Sequence, residues 1–147
     1  MSEAVLDVNV LIAAHLTNHA DHVRARRFVD SLQRFYSTPV TQGGWLRFLT
    51  RPWKNEQGEP QPPRMAPAEA IAMLAKLTAQ ARHVFLPDDI SFETISLKSL
   101  SGHRQWTDAY LIALDRKHGL KLVTLETKLD NMDDSADPVL ERIVKGA

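Results

Sequence analysis

The chain has 147 residues, 44% hydrophobic and 24% charged, ordinary globular usage that excludes a disordered, collagen-like or coiled-coil protein. Its 18 basic and 18 acidic side chains cancel to a formal net charge of +0, so any contact with a polyanion has to come from a local basic patch rather than a global field. Cysteine is absent, which removes disulfides, thiolate zinc sites and cysteine nucleophiles together.

A chain of this length buries roughly 70% of the surface its unfolded form exposes, and one domain over residues 1–147 is expected. The N-terminus reaches only about ten apolar residues before Asn18 and His19, too few to span a bilayer. Glu3 opens the chain with an acid and no small-residue cleavage site follows a basic region, so a soluble, unprocessed, cytoplasmic protein is expected.

In chain order, Ala4 to Val8 is a short apolar run suited to a buried parallel strand, interrupted by the carboxylate of Asp7. Asn18 followed by Asp21 resembles a helix cap, and Ala25, Phe28, Val29 and Leu32 then recur at helical spacing, with Arg24, Arg26 and Arg27 on or near the wet side. Arg34 to Thr38 reads as a second strand ended by Pro39, and Thr41 to Thr50 as a helix. Five prolines, Gly58 and Asn55 between Pro52 and Pro67 mark a surface loop. Pro67 suits the first turn of the next helix, which carries Ile71, Leu74, Leu77 and Thr78 on one face.

His83 to Leu86 is a third strand, and Ser91 to Leu100 reads as a short helix and a turn. Thr107 to His118 is the clearest helix: Thr107 can cap it, Gly119 can take the left-handed position after it, and Lys117 and His118 suit its negative end. Lys121 to Leu125 is a fourth strand. The alternation predicts an α/β fold, a central mostly parallel sheet with helices on both faces and a site beyond the carboxyl ends of the strands.

Three acids fall where such a site is built. Asp7 sits late in an apolar strand, where burial is costly without a positive partner; an N-cap or a salt bridge would also explain it. Asp108 lies in the first turn of the best helix, where the helix dipole favours an anion. Glu126 follows the fourth strand directly. Three carboxylates converging on one crevice repel one another unless a cation is present, and a hard divalent ion with oxygen ligands, Mg²⁺ or Mn²⁺, resolves that repulsion. Asp115, about 10 Å along the helix axis from Asp108, is expected to be an exposed helix charge outside the ligand set.

The segments Asp7-Val8-Asn9-Val10-Leu11, Thr107-Asp108-Ala109-Tyr110-Leu111 and Leu122-Val123-Thr124-Leu125-Glu126 resemble, in order, the D-x-N opening, the T-D-A-x-L block and the closing T-x-D strand of PIN domains. The stretch Thr41-Gln42-Gly43-Gly44-Trp45-Leu46-Arg47-Phe48-Leu49 resembles the second block of a VapC toxin subgroup. The resemblance implies a three-layer α/β/α fold and a Mg²⁺- or Mn²⁺-dependent endoribonuclease, the toxin of a toxin–antitoxin pair neutralised by a cognate antitoxin, with RNA as substrate and a homodimer as its assembly. Two departures stand out. Gln42 occupies a position where related toxins tend to carry glutamate, and Glu126 is one methylene longer than the usual aspartate, with Asp130 near enough to substitute.

On that resemblance Asp7 and Asp108 bind the metal, Glu126 positions the attacking water or a second ion, Asn9 supports the ligand shell and Thr107 orients Asp108. Arg47 and Arg104 are candidates for the scissile phosphate, because guanidinium forks match its geometry; surface ion pairs explain them equally well. His19 and His22 beside Asp21 lack further ligands and read as helix-start polar residues. His103, in the same block as Asp108, is a candidate RNA contact or general acid. Trp45, Trp53 and Trp106 suit base stacking or the core, and Asp88 and Asp89 read as turn residues. Two other readings compete: a degenerate PIN domain that binds RNA or protein without cutting, which Gln42 favours, and a Mg²⁺-dependent phosphoryl-transfer domain, which lacks a second aspartate two positions after Asp7.

Overall fold

A computed structural model describes residues 2–96, 100, 102–125 and 140–143. Strand β1 (Glu3–Leu6) is followed at once by α1 (Val8–His15), then α2 (His22–Ser31), β2 (Arg34–Ser37) and α3 (Pro39–Thr50). A two-stranded hairpin, β3 (Trp53–Lys54) and β4 (Pro60–Gln61), leads to α4 (Pro67–Thr78) and β5 (His83–Phe85). After two single 3-10 turns come α5 (Trp106–Lys117), β6 (Leu122–Thr124) and β7 (Leu140–Arg142).

The five long-range strands form one sheet in the order β5-β2-β1-β6-β7, every neighbouring pair parallel. The chain moves outward from β1 through β2 to β5, then returns to the other side of β1 for β6. The order therefore reverses between β1 and β6, where Val5 pairs with Leu122 and Leu6 with Val123. In open parallel sheets the crevice beyond the strand ends at such a reversal is where ligands bind.

Alternation along the strands sorts the core onto two faces. Ala4, Leu6, Phe35 and Val123 pack with Val10, Leu11, Ala25, Val29, Trp45, Leu49, Ala70 and Leu77 from α1 to α4. Val5 and Leu122 point the other way, against Tyr110, Leu111, Ile112 and Leu114 of α5. The result is the expected three-layer α/β/α fold with four helices on one face and α5 on the other.

Several element boundaries differ from the sequence expectation. The first strand ends at Leu6, and Asp7 is the N-cap of α1, its Oδ1 accepting from the Val8 N–H at 2.8 Å. Helix α1 was not legible because VNVLIAAH has no polar face to give a helical period. Pro39 does not merely end a strand: it opens α3, which Thr38 caps through a reciprocal bond with Thr41. Helix α5 starts one residue early, with Gln105 rather than Thr107 at its cap position. Gly119 takes the left-handed conformation after it, φ 67°, as its position predicts.

The inward face of α4 is also rotated from the expected one, with Ala70 and Leu77 buried and Ile71 56% exposed. The loop after α3 carries the β3–β4 hairpin, whose turn is held by the Asn55 side-chain oxygen accepting from the Gln57 and Glu59 N–H groups. β7 is an additional edge strand, paired with β6. Among the described residues no helix is long and apolar enough to cross a membrane.

Candidate active site at the carboxyl ends of β1 and β6

Asp7 lies at the topological reversal and is 6% exposed. Its backbone N–H donates to the Val123 carbonyl at 2.9 Å, tying the cap to the neighbouring strand. Its Oδ2 accepts from the Thr124 hydroxyl at 2.9 Å and, more loosely, from the Asn9 amide at 3.5 Å. The same Asn9 amide donates to the Thr124 Oγ1 at 3.0 Å, and Asn9 Oδ1 accepts from the Leu125 N–H at 3.0 Å. A closed polar network thus joins the end of β1, the first turn of α1 and the end of β6. Hydrogen bonds to an ionised group are worth roughly 1.5–3 kcal/mol each, enough to hold a carboxylate in a place that water barely reaches.

Thr124 carries as much of this network as Asn9, yet the sequence reading assigned it no role of its own. The signal was there in principle: a hydroxyl, fully buried, at the end of a strand whose other residues are apolar. A buried hydroxyl requires a partner, and here the partner is Asp7.

Asp108 is half-buried in the first turn of α5. It shares a helical stripe with Leu111, Ile112 and Asp115, at intervals of three, four and seven residues. Leu111 and Ile112 are buried against Val5 and Leu122, so the stripe faces the sheet. Because α5 leads directly into the parallel strand β6, its start lies toward the carboxyl ends of the strands.

Asp115 overturns the expectation of an exposed helix charge. It is fully buried, and neither carboxylate oxygen has a hydrogen-bond partner among the described residues. Burial, reinforced by the negative charge of Asp7, pushes its pKa up to about 8. Its place on the sheet-facing stripe sets its carboxyl in the apolar layer, where its neutral form is the cheaper one to carry.

Gln42 turns elsewhere. Its Nε2 donates to Ser37 Oγ at 3.0 Å, and that hydroxyl meets His83 Nε2 at 2.7 Å. Its side chain lines a cavity of 410 Å³ with Ile71, Leu74, Ala75, Thr78, His83 and Phe85. The α3 residue that faces the start of α1 is Gly44, where a Cβ would stand 2.7 Å from Val8 Cγ2. Two successive glycines inside a helix each cost about 1 kcal/mol relative to alanine, so Gly43-Gly44 was the sequence signal for a close approach there.

Arg47 is exposed and folds back along α3, its Nη1 3.3 Å from where a Gly43 Cβ would stand. Thr107, Arg104 and His103 are exposed around the start of α5. Trp45 is a core residue whose ring lies tilted against His15, whereas Trp106 packs edge-on against Phe92. His22 bonds the Ala13 carbonyl, and the His19 ring accepts from the Asp21 N–H, the helix-start roles expected of them. Asp89 pairs with Lys117 and His118. Glu126 and Asp130 lie outside the described residues. Among the described residues no three acidic or histidine side chains gather closely enough to form a ligand set by themselves.

A three-layer fold with a buried aspartate anchored at the strand-order reversal defines a class of α/β protein whose site sits at the strand ends. The PIN domain family model matches residues 4–135. Ribonuclease VapC39 of Mycobacterium tuberculosis is 37% identical over 131 residues, covering 86% of this chain and 90% of that protein. Ribonuclease VapC29 of the same organism is 34% identical over 129 residues, covering 87% and 89%. The chain belongs to the PIN-domain family and, within it, to the VapC group.

Solved structures agree on the fold. The Mycobacterium tuberculosis VapC20 toxin, described as sarcin-ricin loop cleaving, superposes with a TM-score of 0.61 at 14% identity, covering 88% of this chain and 92% of that one. A chain of the DNA-bound VapBC complex of Salmonella typhimurium gives 0.62 at 18% identity, covering 98% and 100%.

Proposed function

We propose that this chain is a divalent-metal-dependent endoribonuclease, the toxin half of a toxin–antitoxin pair, acting in the cytoplasm as a homodimer. The observation that carries the reading is the buried Asp7 carboxylate, anchored at the β1–β6 reversal by Thr124, Asn9 and the Val8 N–H. Its support from relatives is that proteins named ribonuclease VapC share 34–37% identity across most of their length. VapBC complexes among the fold's structural neighbours support an antitoxin partner.

The donors fit Mg²⁺ or Mn²⁺ by chemistry: carboxylate, amide and hydroxyl oxygens without a thiolate suit a hard cation. Asp7 and Asp108 are the proposed ligands, with Glu126, or Asp130 in its place, completing the acidic set. When bound, the cation supplies positive charge to the phosphodiester and lowers the pKa of water so that it attacks near neutral pH.

The residues of this chain do the rest. Asp7 supplies carboxylate oxygen, the donor type a hard divalent cation prefers. Thr124 and Asn9 fix its orientation, so that the ligand geometry is set before substrate arrives. Thr107 sits beside Asp108 at the helix start, where the dipole favours the anion. Arg47 and Arg104 are the proposed contacts to the scissile phosphate.

The test is cleavage of RNA by pure protein with the metal varied, the Asp7→Asn/Asp108→Asn double variant serving as control for carried-over nuclease. Cleavage restored by Mg²⁺ or Mn²⁺ after EDTA, and abolished in the double variant, is the expected result. Activity that survives EDTA or the double substitution overturns the mechanism, and metal affinity without RNA turnover identifies a non-cleaving PIN domain instead.

A further inference from the structure

At the far end of α3 the hairpin sets Arg64 against two aromatic rings, its guanidinium carbon 4.3 Å from the Phe48 centroid and 4.3 Å from that of Trp53. Arg51 lies over the same Phe48 ring at 5.4 Å. Both contacts lie within the range of a cation–π attraction, and together they hold the guanidinium against the two rings. Arg64 Nη1 is buried with no hydrogen-bond partner among the described residues. Burial and the charge of Arg51 both push the Arg64 pKa down, the burial effect being the larger.

No carboxylate among the described residues forms an ion pair with Arg47, Arg51, Lys54 or Arg64. The acids of the same hairpin do not fill the gap: Glu59 accepts from the Asn55 amide at 3.3 Å and Glu56 is exposed. A partly desolvated cation with a second cation beside it and no anion is a costly arrangement. It becomes favourable when an external anion enters.

The cations also point back to the acidic site. Gly44, Arg47 and Arg51 fall at i, i+3 and i+7 on one side of α3, and Gly44 abuts Val8, the residue after Asp7. Arg47 folds toward that end, and Arg51 stands about 10 Å further along the axis from Gly44 at 1.5 Å per residue. From Asp7 outward the surface therefore runs through Arg47 to Arg51 and the Arg64–Trp53 stack.

We infer that Arg51 and Arg64, held by Phe48 and Trp53, form a phosphate-binding exosite that grips the backbone of single-stranded RNA beside the cleavage site. This deepens the ribonuclease reading and rests on it. An overall neutral chain needs such a local patch to hold a polyanion, and phosphate contacts of this kind position a strand without reading its sequence.

The test is fluorescence anisotropy with a labelled short single-stranded RNA of mixed sequence, in EDTA and on the Asp108→Asn background, over a series of salt concentrations. Removing one cation from the phosphate backbone lowers the slope of log affinity against log salt by about 0.7 for single strands. R51Q is expected to lower it by that amount and R51Q/R64Q by about twice as much, with R64K keeping the slope because it keeps the charge. Arg51 is exposed, so R51Q gives a readout that does not depend on the hairpin's packing.

An unchanged slope and affinity in R51Q, with native thermal melting, overturns the exosite. So does weakened affinity for the antitoxin with RNA binding intact, which would assign the patch to a protein partner. Metal-dependent cleavage of the same RNA by the unsubstituted chain separates the two levels. If it cleaves while R51Q binds normally, only the exosite falls; if it neither binds nor cleaves RNA, the ribonuclease reading falls with it.

Discussion

Asp7 and Asp115 are both buried aspartates, and they answer burial in opposite ways. Asp7, at the strand ends, accepts hydrogen bonds from the Val8 N–H, the Thr124 hydroxyl and the Asn9 amide. Asp115, inside the layer between α5 and the sheet, has no donor on either oxygen among the described residues, and its pKa rises to about 8. Exclusion from water does not by itself decide what a carboxylate can do; the donors supplied to it do. The first is held by donors at the strand ends, and the second, without them, is cheapest when it holds a proton.

The strongest way to break the comparison is to remove charge from the site. Asp7→Asn is expected to reduce metal-dependent RNA cleavage about a thousandfold, since a metal ion contributes several kcal/mol to the transition state and each 1.36 kcal/mol is tenfold in rate. Initial rates at saturating Mn²⁺ measure it, and a reduction below tenfold would mean that Asp7 is a helix cap and nothing more.

Asp115→Asn probes the other acid through stability. The folded-state pKa lies above the ordinary 3.8, so the folded protein binds more protons than the unfolded chain across that interval. Stability therefore falls as pH rises from about 4 to about 8, then levels off. Asp115→Asn lacks this decline, and its stability relative to the parent should grow across the same window by an amount on the order of 3–5 kcal/mol. Urea unfolding at several pH values in EDTA checks this; parallel curves for the two proteins would show that Asp115 has donors after all.

Thr124→Val sharpens the role of the network around Asp7. It removes one donor to the carboxylate and one acceptor for Asn9, and is expected to lower metal affinity or cleavage about 10–100-fold while the fold survives. Isothermal titration with Mn²⁺ reads the affinity, and a change in melting temperature alone, with affinity intact, would make Thr124 purely structural.

Gly44→Ala has the smallest expected effect, a stability decrease of about 1–3 kcal/mol from overpacking against Val8, because valine is stiff and cannot easily swing aside. Adding Val8→Ala should recover much of that decrease. Additive single effects in this cycle would mean that α3 and α1 do not meet at these two residues.

Much of this molecule is written in its sequence by local chemistry. The apolar run at Ala4, the periodic face of α2, the end signals of α5 with the glycine after it, and the placement of acids near a strand end and at a helix start could all be read in advance. They depend on spacing and on the conformational limits of single residues. Others could not be. Helix α1 is apolar except for Asn9 and His15 and so carries no clear period, the inward face of α4 is chosen by its neighbours, and β7 joins the sheet through β6.

The sequence by itself determined the fold class and the family, because periodicity and ordered motifs survive in one dimension. Only the tertiary structure decided that Thr124 serves Asp7, that Gln42 serves Ser37, that Asp115 is buried, and that Arg64 packs on two rings with no ion-paired acid among the described residues. The physical reason is that burial, hydrogen-bond partnership and charge compensation are properties of what surrounds a side chain. In this chain the surroundings arrive from far along the sequence, as when Thr124 meets Asp7.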